Sequence, residues 1–174
     1  MILPDLLGPG LRVVFCGTAA GRVSALRGHY YAGPGNQFWP LLAEFGLTPR
    51  RLRPEEDHLV QRFGIGLTDL AKTASGADAE IPQAAWDAPG LIAKVNLHAP
   101  EFLAFTSLTA ARLALGARTV SAGPLPDDPR LPGIRLWALP SPSGRARGHF
   151  RKDPWRALAE CQRSDQGPPP DQAG

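Results

Sequence analysis

The sequence predicts an α/β fold, a three-layer α/β/α sandwich around a mainly parallel central sheet, and three observations carry that prediction. Short apolar runs of strand length alternate along the chain with helix-length segments, the pattern of βα units. Val13-Val14-Phe15-Cys16 is apolar at every position, as strands buried on both faces are. The main runs open into loops rich in Gly, Pro and Ser, which suits ligand sites at the carboxyl ends of parallel strands. With 174 residues and 43% hydrophobic content, one domain over residues 1–163 is expected. The polar, Pro-rich stretch 164–174 reads as a disordered tail.

Taken in order, residues 1–10 are a lead-in whose Pro and Gly argue against a helix. The first strand runs from Val13 into Gly17-Thr18-Ala19-Ala20-Gly21. Residues 22–35, with Gly28, Gly33, Pro34 and Gly35 around His29-Tyr30-Tyr31, read as a structured loop and not a helix. Asn36 caps a helix through Phe38-Trp39 to Phe45, with Pro40 tolerated near its start and Gly46 ending it. A second helix over 54–63 carries Glu55, Glu56 and Asp57 in its first turn, where acids complement the dipole. A strand-like segment, 64–70, ends in Asp69-Leu70, and 74–90 is a loop.

A helix is expected over 91–97, cut off before Pro100, then an apolar strand over 101–106. Leu108 to Leu115 forms a helix closed by Gly116. The Pro-punctuated stretch 117–133 holds a short strand at Thr119-Val120. A last strand, 134–139, delivers the chain into Pro140-Ser141-Pro142-Ser143-Gly144, and Asp153 caps a helix with Pro154 at its first position.

Composition narrows the classes of function. No apolar run reaches ~18 residues and no charged and apolar leader opens the chain, so neither a membrane span nor a secretory signal is read and a cytoplasmic protein is expected. Cys16 and Cys161 have no metal-ligand spacing and no disulfide framework, and read as reduced packing residues. Net charge is only +3, but Arg145, Arg147, Arg151, Lys152 and Arg156 crowd twelve residues that hold a single acid, Asp153. Such a stripe suits a polyanion; a solvated helix end is the competing reading. The Gly17 to Gly21 loop lets a flat or anionic ligand approach the main chain, although an ordinary strand-to-helix turn uses glycines in the same way. No Walker-type Lys follows these glycines and no Gly-x-Ser-x-Gly elbow exists, which argues against nucleotide-hydrolysing and serine-hydrolase sites.

Val13-Val14-Phe15-Cys16-Gly17 with Gly21, then Tyr31, Asn36 with Phe38-Trp39, Gly66-Leu67-Thr68, and Pro142-Ser143-Gly144 occur in that order. Together they resemble the mismatch-specific uracil DNA glycosylases, the bacterial Mug and thymine DNA glycosylase branch of the uracil glycosylase superfamily. The resemblance runs from about residue 11 to the helix at Trp155. It implies a monomeric bacterial repair enzyme that needs no metal or cofactor. Such an enzyme flips uracil out of a mismatch with guanine in double-stranded DNA and hydrolyses the N-glycosidic bond to leave an abasic site. A flipped base needs an aromatic face and main-chain partners. The resemblance puts Tyr31 at the stacking position and Gly17, Thr18, Ala19, Ala20, Gly21 and Asn36 around the base. Ser143 and Gly144 form the turn at the DNA, Arg147 matches the phosphate-side arginine, and Arg145 stands where the branch has a hydrophobic wedge.

Two departures matter. The branch usually reads Gly-Ile-Asn-Pro-Gly in the first loop, with the Asn positioning the attacking water, and here Ala19 stands at that place. Ser141 replaces the Asn that often opens the Pro-Ser-Gly motif. Asp69, at the end of the second strand, is the compensating candidate for catalysis; a cap or an ion pair with Lys72 is the competing reading. A DNA-binding protein that has lost turnover is the alternative for the whole chain. Ala19, Ala20 and Gly33 point to a roomy slot. His149 reads as a phosphate contact and His29 is unassigned.

Overall fold

The computed structural model describes residues 1–144 and 151–165. Five strands, β1 (Val13–Gly17), β2 (Ile65–Asp69), β3 (Phe102–Phe105), β4 (Gly123–Pro124) and β5 (Arg135–Ala138), form one sheet in the order β2-β1-β3-β5-β4. All pairs are parallel except β4 with β5. The helices are α1 (Arg22–Arg27), α2 (Phe38–Glu44), α3 (Ala88–His98), α4 (Leu108–Leu115) and α5 (Asp153–Asp165). This is the expected α/β architecture.

Side-chain alternation in the strands divides the core into two layers. Val13, Phe15, Ile65, Leu67, Phe102 and Ala104 face α2 and α5, where they meet Phe38, Trp39, Leu42, Trp155 and Leu158. Val14, Cys16, Leu103, Phe105 and Leu136 face α3 and α4, against Leu91, Val95, Ala110 and Ala114. Phe15 anchors the first layer, edge-on to Phe38 at 5.3 Å and stacked on Trp155 at 5.9 Å. Both faces of β1 are fully buried, which is why its sequence is a continuous apolar run.

Several elements form for the reasons the sequence offers. Ser107 accepts from the Ala110 N–H at 3.0 Å to cap α4, and Gly116 closes that helix with φ of 70°. Helix α2 differs from the expectation in its cap: Gln37 stands at the N-cap without a side-chain cap bond, and Asn36, one residue earlier, accepts from the Phe38 N–H at 2.9 Å through Oδ1. The segment Pro54–Phe63 is helical but 3-10, with its three acids in the first turn. Neither cysteine is in a disulfide.

Four further expectations are corrected. Residues 22–27, read as loop, are the short helix α1, begun at Gly21 and stopped by a left-handed Gly28 at φ of 77°. Helix α3 starts at Ala88, not 91, because Asp87 accepts from Gly90 N–H at 2.9 Å and Pro89 fits the first turn. Thr119-Val120 is not a strand; the short pairing falls at Gly123–Pro124, next to β5. Helix α5 continues through Asp165, past the expected start of the tail at 164, while residues 166–174 lie outside the described set. Among the described residues, no helix is long and apolar enough to cross a membrane.

Phe15→Ala removes the ring on which Phe38 and Trp155 both pack, and a loss of about 3–5 kcal/mol in urea unfolding is expected. Ser107→Ala, which removes one helix cap, is expected to cost about 1 kcal/mol. A Phe15 effect no larger than the cap effect contradicts the packing described.

Candidate functional site

The chain leaves β1 for β2 on one side and later returns to place β3 on the other, so the carboxyl end of β1 is a topological switch point. A cleft of about 1080 Å³ opens there, walled by the loops after β1, β2, β3 and β5. Period-two alternation carries the β1, β2 and β3 side chains of one face up to Gly17, Asp69 and Thr106 at the cleft floor. Gly17 is in register with Asp69 on the neighbouring strand. Its missing side chain is required by space: a Cβ there would lie 2.8 Å from Asp69 Oδ1, 3.3 Å from Thr106 Oγ1 and 3.5 Å from Tyr31 Oη.

Asp69 is 5% exposed and lines the cleft, and its carboxylate has no hydrogen-bond partner among the described residues. Burial raises its pKa to about 6, with Lys72 and Lys94 pulling it down and Asp5 pushing it up. An ion pair between Asp69 and Lys72 does not form. Lys72 Nζ instead lies 2.8 Å from Asp5 Oδ1 and donates to Tyr30 Oη at 3.0 Å. Asp5 also receives Lys94 Nζ at 2.8 Å and Thr68 Oγ1 at 2.7 Å. Burial works against the ionised form of Asp5, but the bonds from Lys72, Lys94 and Thr68 outweigh it and hold its pKa below the usual value. Asp5 is therefore the ionised partner of both lysines, and they act on Asp69 through their charge and not through a hydrogen bond.

The loop after β1 is fixed through its main chain. Leu70 N–H donates to the Gly17 carbonyl at 2.9 Å and Ala71 N–H to that of Thr18 at 2.8 Å. On its far side Gly76 N–H donates to the Ala20 carbonyl at 2.9 Å, and Thr18 Oγ1 donates to Asp78 Oδ1 at 2.6 Å. Ala19, Ala20 and Gly21 contribute backbone and methyl surface to the cleft wall. The Thr18 hydroxyl is thus engaged by Asp78.

Tyr31 sits in the left-handed region at φ of 53°, unusual for a side-chain-bearing residue. One face of its ring stacks on Phe38 at 3.8 Å and 22°. Its hydroxyl and that of Thr106 are hydrogen-bonded at 3.0 Å. Burial, followed by the charge of Asp69, holds the Tyr31 phenol well above the usual range, so it stays neutral. Asn36 lines the same cleft, with its side-chain oxygen occupied by the Phe38 N–H.

The turn after β5 closes against this wall. Gln37 N–H donates to the Pro142 carbonyl at 2.8 Å, Ser143 N–H donates to Ser141 Oγ at 3.2 Å, and a Cβ on Gly144 would lie 2.8 Å from the Pro34 carbonyl oxygen. Ser143 and Gly144 both border the cleft. Arg145, Arg147 and His149 lie outside the described residues. Within the basic stripe, Lys152 pairs with Glu44 at 3.1 Å, and Arg156 pairs with Asp153 at 3.3 Å while covering the Phe45 ring. His29 packs elsewhere, its Nδ1 3.3 Å from Asp57, which also accepts from Tyr30 N–H at 3.0 Å. No group of three or more metal-ligating side chains occurs among the described residues.

Sequence reasoning missed Thr106, Asp5 and Asp78. Thr106 had a signal: two steps along β3 from Ala104 leads to it on the same face. Asp5 had none, because its importance comes from two lysines that are distant in sequence.

A family model described as "Uracil DNA glycosylase superfamily" matches residues 4–160 of this chain. Among solved structures, the chain is similar to the solution NMR structure of a candidate uracil DNA glycosylase from Methanosarcina acetivorans. The two superpose with a TM-score of 0.66 at 18% identity, over 92% of this chain and 96% of that one. At this identity the likeness concerns the fold.

Because the Gly17 position is bounded by the Asp69 carboxylate, Gly17→Ala is expected to push that carboxylate out of its seat toward the open cleft. Its titration midpoint, followed by carboxyl carbon NMR, should then fall from about 6 toward the ordinary aspartate value. Gly33→Ala, where an added Cβ meets nothing within 4 Å, should leave the midpoint in place.

Proposed function

The chain belongs to the uracil DNA glycosylase superfamily, and on that premise we propose that it hydrolyses the N-glycosidic bond of uracil in DNA with Asp69 as its catalytic carboxylate. The observation that carries this reading is a buried carboxylate without a hydrogen-bond partner among the described residues, lining a cleft at the switch point of a parallel sheet. An unpaired charge in such a place costs free energy in the resting protein. A reaction that develops positive charge beside it recovers that cost.

Glycosidic cleavage passes through a cationic, oxocarbenium-like sugar while the base leaves as an anion. A carboxylate ~4 Å from that cation, at an effective dielectric of ~20, contributes about 4 kcal/mol. That corresponds to about a thousandfold in rate. The same group accepts a proton from water as the water oxygen adds to C1′. Both roles need the ionised form.

The base slot supports the reading. The ring of Tyr31, stacked on Phe38 and lining the cleft, supplies the aromatic surface for the base in this reading, and the loop from Gly17 to Gly21 with Asn36 supplies main-chain and amide groups to the base edge. In this proposal the substrate is a uracil flipped from a mismatch with guanine in double-stranded DNA, as in the Mug and thymine DNA glycosylase branch. Ser143 and Gly144 approach the DNA backbone, Arg147 binds phosphate, and Arg145 fills the gap left in the duplex. No resident metal or cofactor is required, and the protein acts as a monomer. The competing reading, a lesion-binding protein without turnover, draws on Ala19 standing in place of the branch's Asn.

Asp69→Asn is expected to reduce excision about a thousandfold on a duplex with one uracil opposite guanine, with duplex binding retained. Alkaline strand cleavage and a salt-dependent binding assay measure the two. Unchanged turnover in the variant removes Asp69 from the chemistry; no product from the wild-type protein, with retained binding, favours the competing reading. The wild-type rate should fall as pH drops through about 6, where the carboxylate takes up its proton. Stability gives the opposite sign. The folded carboxyl holds its proton to a higher pH than the unfolded one, so its ionisation destabilises the fold as pH rises. Asp69→Asn should therefore raise the melting temperature at neutral pH, and the gain should vanish below the unfolded pKa of 3.8.

A further inference from the structure

We propose that the attacking water sits in a cradle of three oxygens, where the hydroxyls of Thr106 and Tyr31 stand beside the Asp69 carboxylate and Thr106 is the positioning residue. The proposal rests on the reading of the chain as a base-excising enzyme. It assigns the task left open by Ala19, which has no polar group to hold a water.

Three separate segments bring these oxygens together: the end of β2, the end of β3, and the loop before α2. All three lie within 3.5 Å of one point, the place a Cβ on Gly17 would occupy. That point is a bond length from Gly17 Cα and holds no water itself; with no side chain there, the three oxygens line the cleft together and the water is placed on their cleft side. A bound water needs two to four polar partners, and the cradle offers three.

The hydrogen bonds leave capacity for that water. Thr106 is 3% exposed, and its hydroxyl is bonded to Tyr31 Oη at 3.0 Å; its second contact, to the Cys16 carbonyl, is at 3.5 Å and therefore weak. Two hydroxyls bring two hydrogens, and the bond between them uses one. The other, together with a lone pair, remains for a third group. The neutral Tyr31 phenol keeps its hydrogen beside an anionic carboxylate.

In the reaction, the hydroxyl pair orients the water and the Asp69 carboxylate receives one of its protons. The water oxygen bonds to C1′. The C1′–N1 bond breaks and its electron pair leaves with the base. A tie whose only task was to hold the Tyr31 ring would not need an unpartnered carboxylate next to it.

The test uses single-turnover excision from a uracil duplex above the Asp69 midpoint, with binding measured on a duplex carrying 2′-fluoro-2′-deoxyuridine, which resists cleavage. Thr106→Val should lower the excision rate about a hundredfold, with binding within about twofold of wild type. Thr106→Ser, which restores the hydroxyl, should return the rate to within about threefold. The double variant Tyr31→Phe/Thr106→Val removes both partners of the buried bond and leaves no orphaned group, so it keeps the fold if the single variant does not. It should remain as slow as Thr106→Val. Wild-type rates in Thr106→Val, or recovery of rate in the double variant, overturn the proposal and reduce the hydroxyl pair to a structural tie. Asp69→Asn run in parallel separates the two readings: a dead Asp69→Asn with a fully active Thr106→Val refutes the cradle alone, whereas an active Asp69→Asn refutes the assignment of Asp69 itself.

Discussion

A carboxylate held 5% exposed, without a hydrogen bond among the described residues, is the constraint on which the other features of this molecule depend. Left alone, a buried Asp neutralises or draws in a partner. Here the nearest cations are already engaged. Lys72 and Lys94 both bind Asp5, so their net influence on Asp69 is a field from behind the strand and not a contact that would quench it. The parallel sheet makes this possible, since β1 pairs through its main chain with β2 on one side and β3 on the other, while the side chains at the rim of these three strands are a glycine, the aspartate itself and a threonine.

The aromatic wall illustrates a second dependence. Phe38 belongs to the core of the α2 and α5 layer, yet it also backs the ring of Tyr31, which belongs to the cleft. Packing and site are thus joined by one continuous chain of ring contacts from Trp155 through Phe15 and Phe38 to Tyr31. The left-handed backbone at Tyr31 is tolerated because ring stacking and the Thr106 bond both fix the residue.

How much of this was legible beforehand follows from what is local. The strands at Val13, Ile65 and Phe102 and the capped helix at Leu108 rest on patterns a few residues long, and each was readable. The six-residue helix α1 was not, because a segment between two glycines, with His and Tyr following, carries the same composition as a loop. Asp69 was singled out from its place at a strand end, but its freedom from Lys72 depends on Asp5, more than sixty residues away in sequence. The loop at 75–78 gave no sign that it would grip Thr18 and Ala20, since small polar residues pair with main chain only when tertiary structure brings them together. Such pairings are long-range facts, and no window of sequence contains them.

The first residues of the chain have one more consequence. Leu6 exchanges both main-chain hydrogen bonds with Leu67, each at 2.9 Å, and Ile2 N–H reaches the Lys72 carbonyl at 2.8 Å, so this segment lies along the outer side of β2. At the opposite end of the sheet, β4 is two residues long and ends in a proline. An open strand edge is a template for pairing with another chain, and short strands, prolines and covering segments are the means by which proteins blunt it. The same stretch that gathers the two lysines behind the cleft therefore also guards the sheet against edge-to-edge self-association.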